Sequence, residues 1–373
     1  MEVDIAIIGG GVAGCTAAIA LAKFYNVLLI DKTDKPIKRI GECLAPAAGR
    51  ILKQFDLLDG LEKAQTQSGQ ALHLKNIGTK SYWGSDQMQV VDHLRNPDGF
   101  GWHLDRQAFE MYLRETAAQR GVTCHWGAKL NDIFYEDFRW YLGTSIEHET
   151  DQQTKNFSAK FVIDASGRQS QFARKLGIHR DHFDKLIACW ASVTDFEQNK
   201  MSTISADESG WWYSASVPGN KRVIAFQTDS DLMAEPIKSS NQFFELAQSN
   251  REIAEILERC NGDIELHATV AANSTRLSSV AGQQWVALGD AALSLDPLSS
   301  QGMFNAMAGA AQLADLIKEI NFINRQDSLR TNQFEKIYTY QMDQIWAHYM
   351  KHKQLFYRAE TRWKEASFWK RRH

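Results

Sequence analysis

The chain has 373 residues, with 42 Lys and Arg against 45 Asp and Glu and a formal charge of −3. It is long enough for two domains, and it carries no global basic field that would draw nucleic acid or an anionic membrane. Cys15, Cys43, Cys124, Cys189 and Cys260 are scattered without a C-x-x-C pair, which argues for reduced thiols and against a disulfide framework or a metal site.

No apolar run approaches membrane-spanning length, and a strand starting at residue 3 leaves no room for a signal peptide, so a cytoplasmic protein is expected. Residues 3–8 form that strand, an apolar β-branched run suited to the centre of a parallel sheet. Gly9, Gly11 and Gly14 follow at G-x-G-x-x-G spacing. The first permits the tight turn, the second a backbone approach to a pyrophosphate, and the third close packing of helix on sheet. A helix over residues 13–24 carries Ala17, Ala18, Ala20 and Ala22, and its first amides face an anion. A second strand over 27–30 ends in Asp31, placed to accept from a ribose 2′-OH. That acid disfavours a 2′-phosphate, so the unit predicts FAD or NAD and not NADP.

Residues 41–46 read as a loop and 47–55 as a helix with Ile51, Leu52 and Phe55 on one face, while 71–91 alternate loosely as strands of a second sheet. In 101–121, Asp105 caps a helix whose inner face is Phe109, Leu113 and Ala117. Arg106 sits in the first turn, where the helix dipole disfavours a cation, so an anionic cofactor is its more useful partner. A strand follows at 122–126 and a further element at 127–133, then a polar hairpin over 135–158. A buried strand over 161–168, FVIDASGR, closes on a small-residue turn. Residues 185–231 give the clearest antiparallel pattern, with the Pro218-Gly219-Asn220 turn between two runs, and 239–260 read as helical. Residues 285–288 form a strand, Asp290 follows a glycine, Pro297 to Gly302 turn, and an Ala-rich helix leaves near Met303. This is a second anion-friendly corner. The remainder is helical and ends in a basic-aromatic tail, where Phe356, Ala359 and Trp363 recur at helical spacing. Packing over the first domain and docking to a partner are the competing readings of that tail.

The order of these stretches resembles the flavoprotein monooxygenases of the p-hydroxybenzoate hydroxylase fold, a group that includes flavin-dependent halogenases and prenyl reductases. The resemblance rests on GGGVAG with Asp31, on DRQAF with Arg106, on GDAA with Asp290 and on PLSSQGM from Pro297 to Met303. GECLAP resembles the G-E-S loop of the halogenase branch, and the FWKRR ending occurs there too. The resemblance implies an α/β fold: a Rossmann-type FAD-binding domain, an inserted mixed or antiparallel β-sheet substrate domain and a C-terminal helical tail. Implied boundaries are 1–70, 100–180 and 270–330 for the FAD domain, 71–99 and 181–269 for the substrate domain, and 331–373 for the tail. The implied cofactor contacts are Gly9, Gly11, Val12, Ala13, Gly14, Asp31, Lys32, Arg39, Cys43, Arg106, Leu130, Ala165, Gly167, Gly289, Asp290, Pro297, Gly302 and Met303.

Halogenases carry W-x-W-x-I-P in the substrate sheet, and here that stretch reads Tyr213-Ser-Ala-Ser-Val-Pro218, without either motif tryptophan. Prenyl reductases carry Y-x-W-x-F-P, of which Tyr213 and Pro218 remain. The overall likeness is to flavoproteins that modify precursors of cysteine-tryptophylquinone amino-acid oxidases. It implies an FAD-dependent monooxygenase that hydroxylates an aromatic ring through a flavin hydroperoxide, the ring being a tryptophan of a partner oxidase precursor. A halogenase, a prenyl-type reductase and a partner-binding maturation factor with slow flavin turnover are the alternatives. No second dinucleotide unit is present, so electrons are expected from transient NAD(P)H or a separate flavin reductase. Substrate-side candidates are Trp83, Trp102, Trp211, Trp212 and Tyr213, each with core packing as its competing reading. His103 is the candidate general base, and Lys75 stands at roughly the halogenase lysine's spacing from Trp83. No metal site, nucleic acid or membrane is implied, and no oligomeric state.

Overall fold

The computed structural model describes residues 1–93, 95–147, 152–233, 235–323 and 327–373. Its core is an eight-stranded sheet in which Trp285–Ala287, Gln152–Asp164, Glu2–Ile8, Val27–Asp31 and Thr123–Trp126 lie side by side and parallel. A sheet covered on both faces needs apolar residues in both phases of each strand. Ile5, Ile7, Leu28, Leu29, Val162 and Ile163 meet that demand, all essentially inaccessible. Ala128–Glu136 and Arg139–Glu147 extend the sheet as an antiparallel meander. The tip of the expected 135–158 hairpin, residues 148–151, lies outside the described residues.

Helix Val12–Leu21 is buried along its whole length, between the sheet and helices Arg106–Gln119 and Gly302–Ile320. Two positions there demand glycine. A Cβ on Gly14 would stand 1.8 Å from the Gly9 carbonyl oxygen, and one on Gly9, whose φ is +112°, would stand 2.3 Å from that of Ala165. The helix stops at Leu21, short of the expected Phe24, because the chain turns there to bury Tyr25 and leave Phe24 exposed.

A seven-stranded sheet covers one end of this layer, in the order Asn261–Ala271, Leu186–Thr194, Lys221–Asp229, Gly210–Val217, Met201–Asp207, Gly78–Tyr82 and Gln89–Asp92. Only the Met201–Asp207 and Gly78–Tyr82 pair is parallel. His73–Asn76, read from sequence as part of this second sheet, pairs instead with Gly101–Leu104 in a small sheet that also holds Cys43–Leu44. One face of the large sheet buries Cys189, Trp212, Ile224 and Phe226 under helices Ser240–Gln248 and Arg251–Arg259. The other face carries Trp211, Tyr213 and Ala215 toward Leu298 and the C-terminal segment.

Helix Ser328–Ala359 buries Thr331, Phe334, Tyr338, Met342 and Trp346 against the first layer. Its end departs from the sequence reading. Phe356 is exposed, the helix stops at Ala359, and the buried tail residues are Tyr357, Phe368 and Trp369, which pack on the large sheet. The stop has a tertiary cause: the buried Glu360 carboxylate accepts from the Gly84 amide at 2.7 Å and binds Arg362, pulling the chain off the helix axis. Among the described residues, no helix is long and apolar enough to cross a membrane.

Candidate functional site

Two helix N-termini without side-chain caps lie on either side of Gly289, each with open space beside its glycine. Gly11 precedes helix Val12–Leu21 without a side-chain cap, and a Cβ placed on it would meet nothing within 4 Å. Gln301 likewise gives no side-chain cap to helix Gly302–Ile320, and the space beside Gly302 is also open. Free N–H groups at the positive end of a helix favour an anion. Between them lies Gly289, with φ +62°, whose added Cβ would stand 3.0 Å from the Cβ of Ala13. That contact sets the half-exposed Asp290 beside the first turn of the N-terminal helix, with Arg168 at 4.0 Å. Gly167 faces open space, Ala165 underlies Gly9, Leu130 and Met303 are buried, and Lys32 reaches Gln169 at 2.7 Å.

Helix Arg106–Gln119 contributes one polar face, Arg106, Glu110 and Arg114, each four residues apart. Asp105 caps it, accepting from the Ala108 amide at 2.9 Å. Glu110 is 1 % exposed and binds Arg106 and Arg39, each at 2.6 Å. Arg106 also donates to the Gly41 carbonyl at 2.5 Å, and its Nε is buried without a partner. Arg114 donates to the Gly10 carbonyl at 3.1 Å, stacks on Trp126 and stands 3.3 Å from Asp31. Glu110 and Arg114 were not among the sequence candidates, although their four-residue spacing from Arg106 is a signal that could have found them. Asp31 is partly engaged already, accepting from the Gly10 amide at 2.5 Å and from Thr33 at 2.7 and 2.6 Å. A carboxylate has about four acceptor positions, so these bonds fix its orientation and leave capacity for a hydroxyl.

The glycine cradle, the two open helix ends and the unpartnered Arg106 Nε fit a dinucleotide of the FAD type. Cys43 lies beside Ser300 of the Pro297–Met303 turn, with Asn76 Nδ2 at 3.6 Å. Burial, then the neighbouring Glu42, pushes its thiol up to about 12, so it stays protonated near neutral pH. Glu42 is buried, takes the Gly41 amide on Oε2 at 3.0 Å, and has no partner for Oε1. The Tyr213 phenol is buried close by, and burial followed by the charge of Glu42 raises it well above the ordinary tyrosine range.

His103 is buried, with Nε2 3.1 Å from Ser202 Oγ. Burial, helped by Arg222, lowers it to about 4, which keeps the imidazole neutral and far from the value of a base poised at neutral pH. Lys75 is exposed beside Phe100, with Nζ 5.8 Å from the ring centroid. Trp102 packs over Gly49. Trp83, Trp211 and Tyr213 share the inner side of the large sheet, Trp83 meeting Trp211 edge to face at 6.2 Å. Trp212 lies on the opposite face, 4.7 Å from the Phe226 ring and 5.7 Å from Phe243. Among the described residues no cluster of three metal-ligating side chains occurs.

The FAD binding domain family matches residues 2–329. The putative FAD-dependent oxidoreductase LodB of Marinomonas mediterranea is 30% identical over 381 residues, covering 99% of this chain and 96% of that protein. Among solved structures, the myxobacterial chondrochloren halogenase CndH superposes with a TM-score of 0.83 at 19% identity, covering 100% of this chain and 86% of the other. QhpG, a peptidyl tryptophan dihydroxylase essential for tryptophylquinone cofactor biogenesis, superposes with a TM-score of 0.76 at 20% identity, covering 100% and 79%. With its glycine cradle and paired helix ends in place, the chain belongs to the FAD binding domain family and is an FAD-dependent oxidoreductase.

Proposed function

We propose that the protein is an FAD-dependent monooxygenase that hydroxylates an aromatic ring, the ring being a tryptophan of a partner oxidase precursor. The carrying observation is the inner face of strand Gly210–Val217. Tyr213, Ala215 and Val217 stand where the halogenase pattern demands tryptophan, tryptophan and isoleucine, and Trp212 cannot substitute because a one-residue offset turns it to the other face. The likeness along nearly the whole length to LodB, and to QhpG in fold, supports the same reading.

In this reading Gly9, Gly11, Val12, Ala13, Gly14 and Asp31 hold the ADP half of FAD. Arg106, Arg39 and Lys32 lie along its phosphates and ribityl chain, with Asp290, and Pro297 to Met303 lie against its ring. Bound FAD, once reduced by NAD(P)H or by a separate reductase, supplies the oxygen-activating chemistry. The protein's part is to exclude water and orient the ring. Glu42 Oε1, buried and unpartnered, is the acceptor available for a ring N–H or for the proton displaced by hydroxylation. His103, held neutral, is not assigned that role.

The test is co-expression with a candidate oxidase precursor under aerobic, reducing conditions, followed by peptide mass spectrometry. A tryptophan gaining about one oxygen mass per turnover supports the reading. A halogenated peptide, or reduction of an isoprenoid double bond with no oxygen incorporated, overturns it.

A further inference from the structure

Helix Ser328–Ala359 presents Tyr349, Lys353 and Tyr357 at intervals of four residues, so their side chains share one face. All three converge on Asp296, the residue before the Pro297–Met303 turn. The Asp296 amide donates to Tyr349 Oη at 2.8 Å, and that oxygen lies 2.7 Å from Ser274 Oγ. Lys353 Nζ binds Asp184 and Ser274 and stands 3.8 Å from Asp296 Oδ2. Tyr357 Oη donates to Asp296 Oδ2 at 2.8 Å and accepts from Trp211 Nε1 at 3.1 Å. Asp296 Oδ1 in turn accepts from the Leu298 amide at 2.9 Å, capping the turn.

Within the turn, Leu298 packs partly buried against the cluster that holds Trp211 and Tyr213, and Ser300 meets Cys43. From Pro297 to Gly302 no residue is buried, and Ser300 adopts φ +49°, a conformation that a side chain other than glycine resists. The segment therefore hangs between two buried anchors, Asp296 at 2 % exposure and Met303 at 7 %. Met303 is held by packing, whereas Asp296 is held by hydrogen bonds from the C-terminal helix. Trp211, on the inner face of the large sheet, is the far end of the same chain of bonds.

We propose that Tyr357 is a positioning residue whose hydroxyl links Trp211 of the large sheet to Asp296, and so sets the placement of the Pro297–Met303 turn against the flavin. This rests on the FAD reading above. The sheet that would cover the substrate and the turn that would meet the cofactor are joined through a residue more than fifty positions further along the chain. A shift of the sheet at Trp211 is thereby transmitted to the turn through two buried hydrogen bonds. Loss of one such bond, leaving a buried carboxylate short of a donor, has a large effect because the desolvation penalty remains.

The experiment compares wild type, Tyr357→Phe, Trp211→Phe and the double variant as full chains reconstituted with FAD. Flavin fluorescence gives the Kd, visible absorption reports the ring's surroundings, and redox titration gives the midpoint potential. Tyr357→Phe is expected to weaken FAD binding about tenfold, the equivalent of one buried hydrogen bond, and to shift the absorption envelope. Trp211→Phe shifts both in the same direction by less, and the double variant equals Tyr357→Phe because both changes break one chain of bonds. If Tyr357→Phe fails to fold, a Trp211→Phe protein with wild-type Kd, spectrum and potential overturns the proposal by itself. Folded variants that match wild type in all three readouts overturn the positioning role alone. Wild-type protein that takes up no FAD overturns the cofactor reading and the proposal with it.

Discussion

Trp211, Trp212 and Tyr213 are consecutive on one strand, yet they enter two different environments. Trp212 lies on the outer face among Phe226, Phe243 and the helices Ser240–Gln248 and Arg251–Arg259, and further along the same face the buried Arg222 pairs with Asp195, Ser214 and Ser216. Trp211 and Tyr213 lie on the inner face, equally buried, where Tyr357, Asp296, Glu42, His103 and Ser202 bring polar groups into the interior. Burial alone therefore does not separate core from site. What separates them is how far the buried polar atoms are paired, since each such atom costs free energy when it is not. The outer face pairs its buried charge, Arg222 with Asp195, and leaves the Trp212 Nε1 unpartnered, whereas the inner side leaves Glu42 Oε1, Tyr213 Oη and His103 Nδ1 without partners.

The sharpest way to break this comparison is Trp212→Ala. Removing a fully buried indole from the apolar layer should lower stability by about 3–5 kcal/mol, measured by chemical denaturation. The FAD Kd and spectrum of the folded fraction should stay at wild type. A changed flavin spectrum in protein that remains folded would show that the outer face reaches the cofactor.

A smaller effect separates the faces by pH. His103, beside strand Met201–Asp207, has its folded value lowered from 6.5 to about 4 by burial. The unfolded chain therefore binds the extra proton throughout that interval. Its contribution is complete above pH 6.5 and is lost as pH falls toward 4. At pH 5.5 the loss is about 1 kcal/mol for this residue, so His103→Gln should show a flatter fall in melting temperature between pH 7.5 and 5. His73, lowered to about 4 by burial, adds a parallel slope and serves as an internal control. A pH profile for His103→Gln identical to wild type would mean that the imidazole takes up its proton in the fold as readily as in the unfolded chain.

Tyr213→Phe tests the inner face with a smaller perturbation of the opposite sign. The hydroxyl is buried and meets no partner in hydrogen-bonding geometry, so its removal should leave stability unchanged or raise it by up to about 1 kcal/mol. Destabilisation beyond that would place a hydrogen bond between Tyr213 and the Glu42 carboxylate in solution.

How much of this could be read from the chain follows from how local each signal is. The Val3 to Asp31 unit was legible because its glycine spacing, helix and strand ends lie within thirty positions and each obeys a short-range rule. Trp212 stood among the substrate-side candidates, and the structure corrects that: strand phase separates it from Trp211 and Tyr213, but which face is covered by Phe243 and its helix is set by the fold. Glu110 and Arg114 carried a readable four-residue spacing but needed Arg106's surroundings to give it meaning. The Asp296 network was not legible, since its partners Tyr357 and Trp211 lie 61 and 85 positions away in sequence and only the fold brings them together. His73–Asn76 shows the same limit: alternation marked a strand, but the choice of partner sheet is a non-local pairing. At the tail, helical spacing continued past Ala359 while the buried Glu360 ended the helix, because a tertiary bond to Gly84 overrode local periodicity.

The smallest expected effect is that of Lys75→Ala, and it bears on the choice between hydroxylase and halogenase. The side chain is exposed and leans on Phe100, and the strand that carries it pairs in the small sheet and not in the one that would cover the flavin. An exposed cation of this kind contributes at most about 0.5 kcal/mol. Stability, FAD Kd and product should therefore match wild type when substrate, oxygen, bromide and NAD(P)H with a flavin reductase are supplied together and analysed by mass spectrometry. A brominated product in wild type that disappears in Lys75→Ala would assign the lysine a catalytic part. It would also require the sheet at His73–Asn76 to move toward the inner face, where Glu42, Tyr213 and His103 are buried.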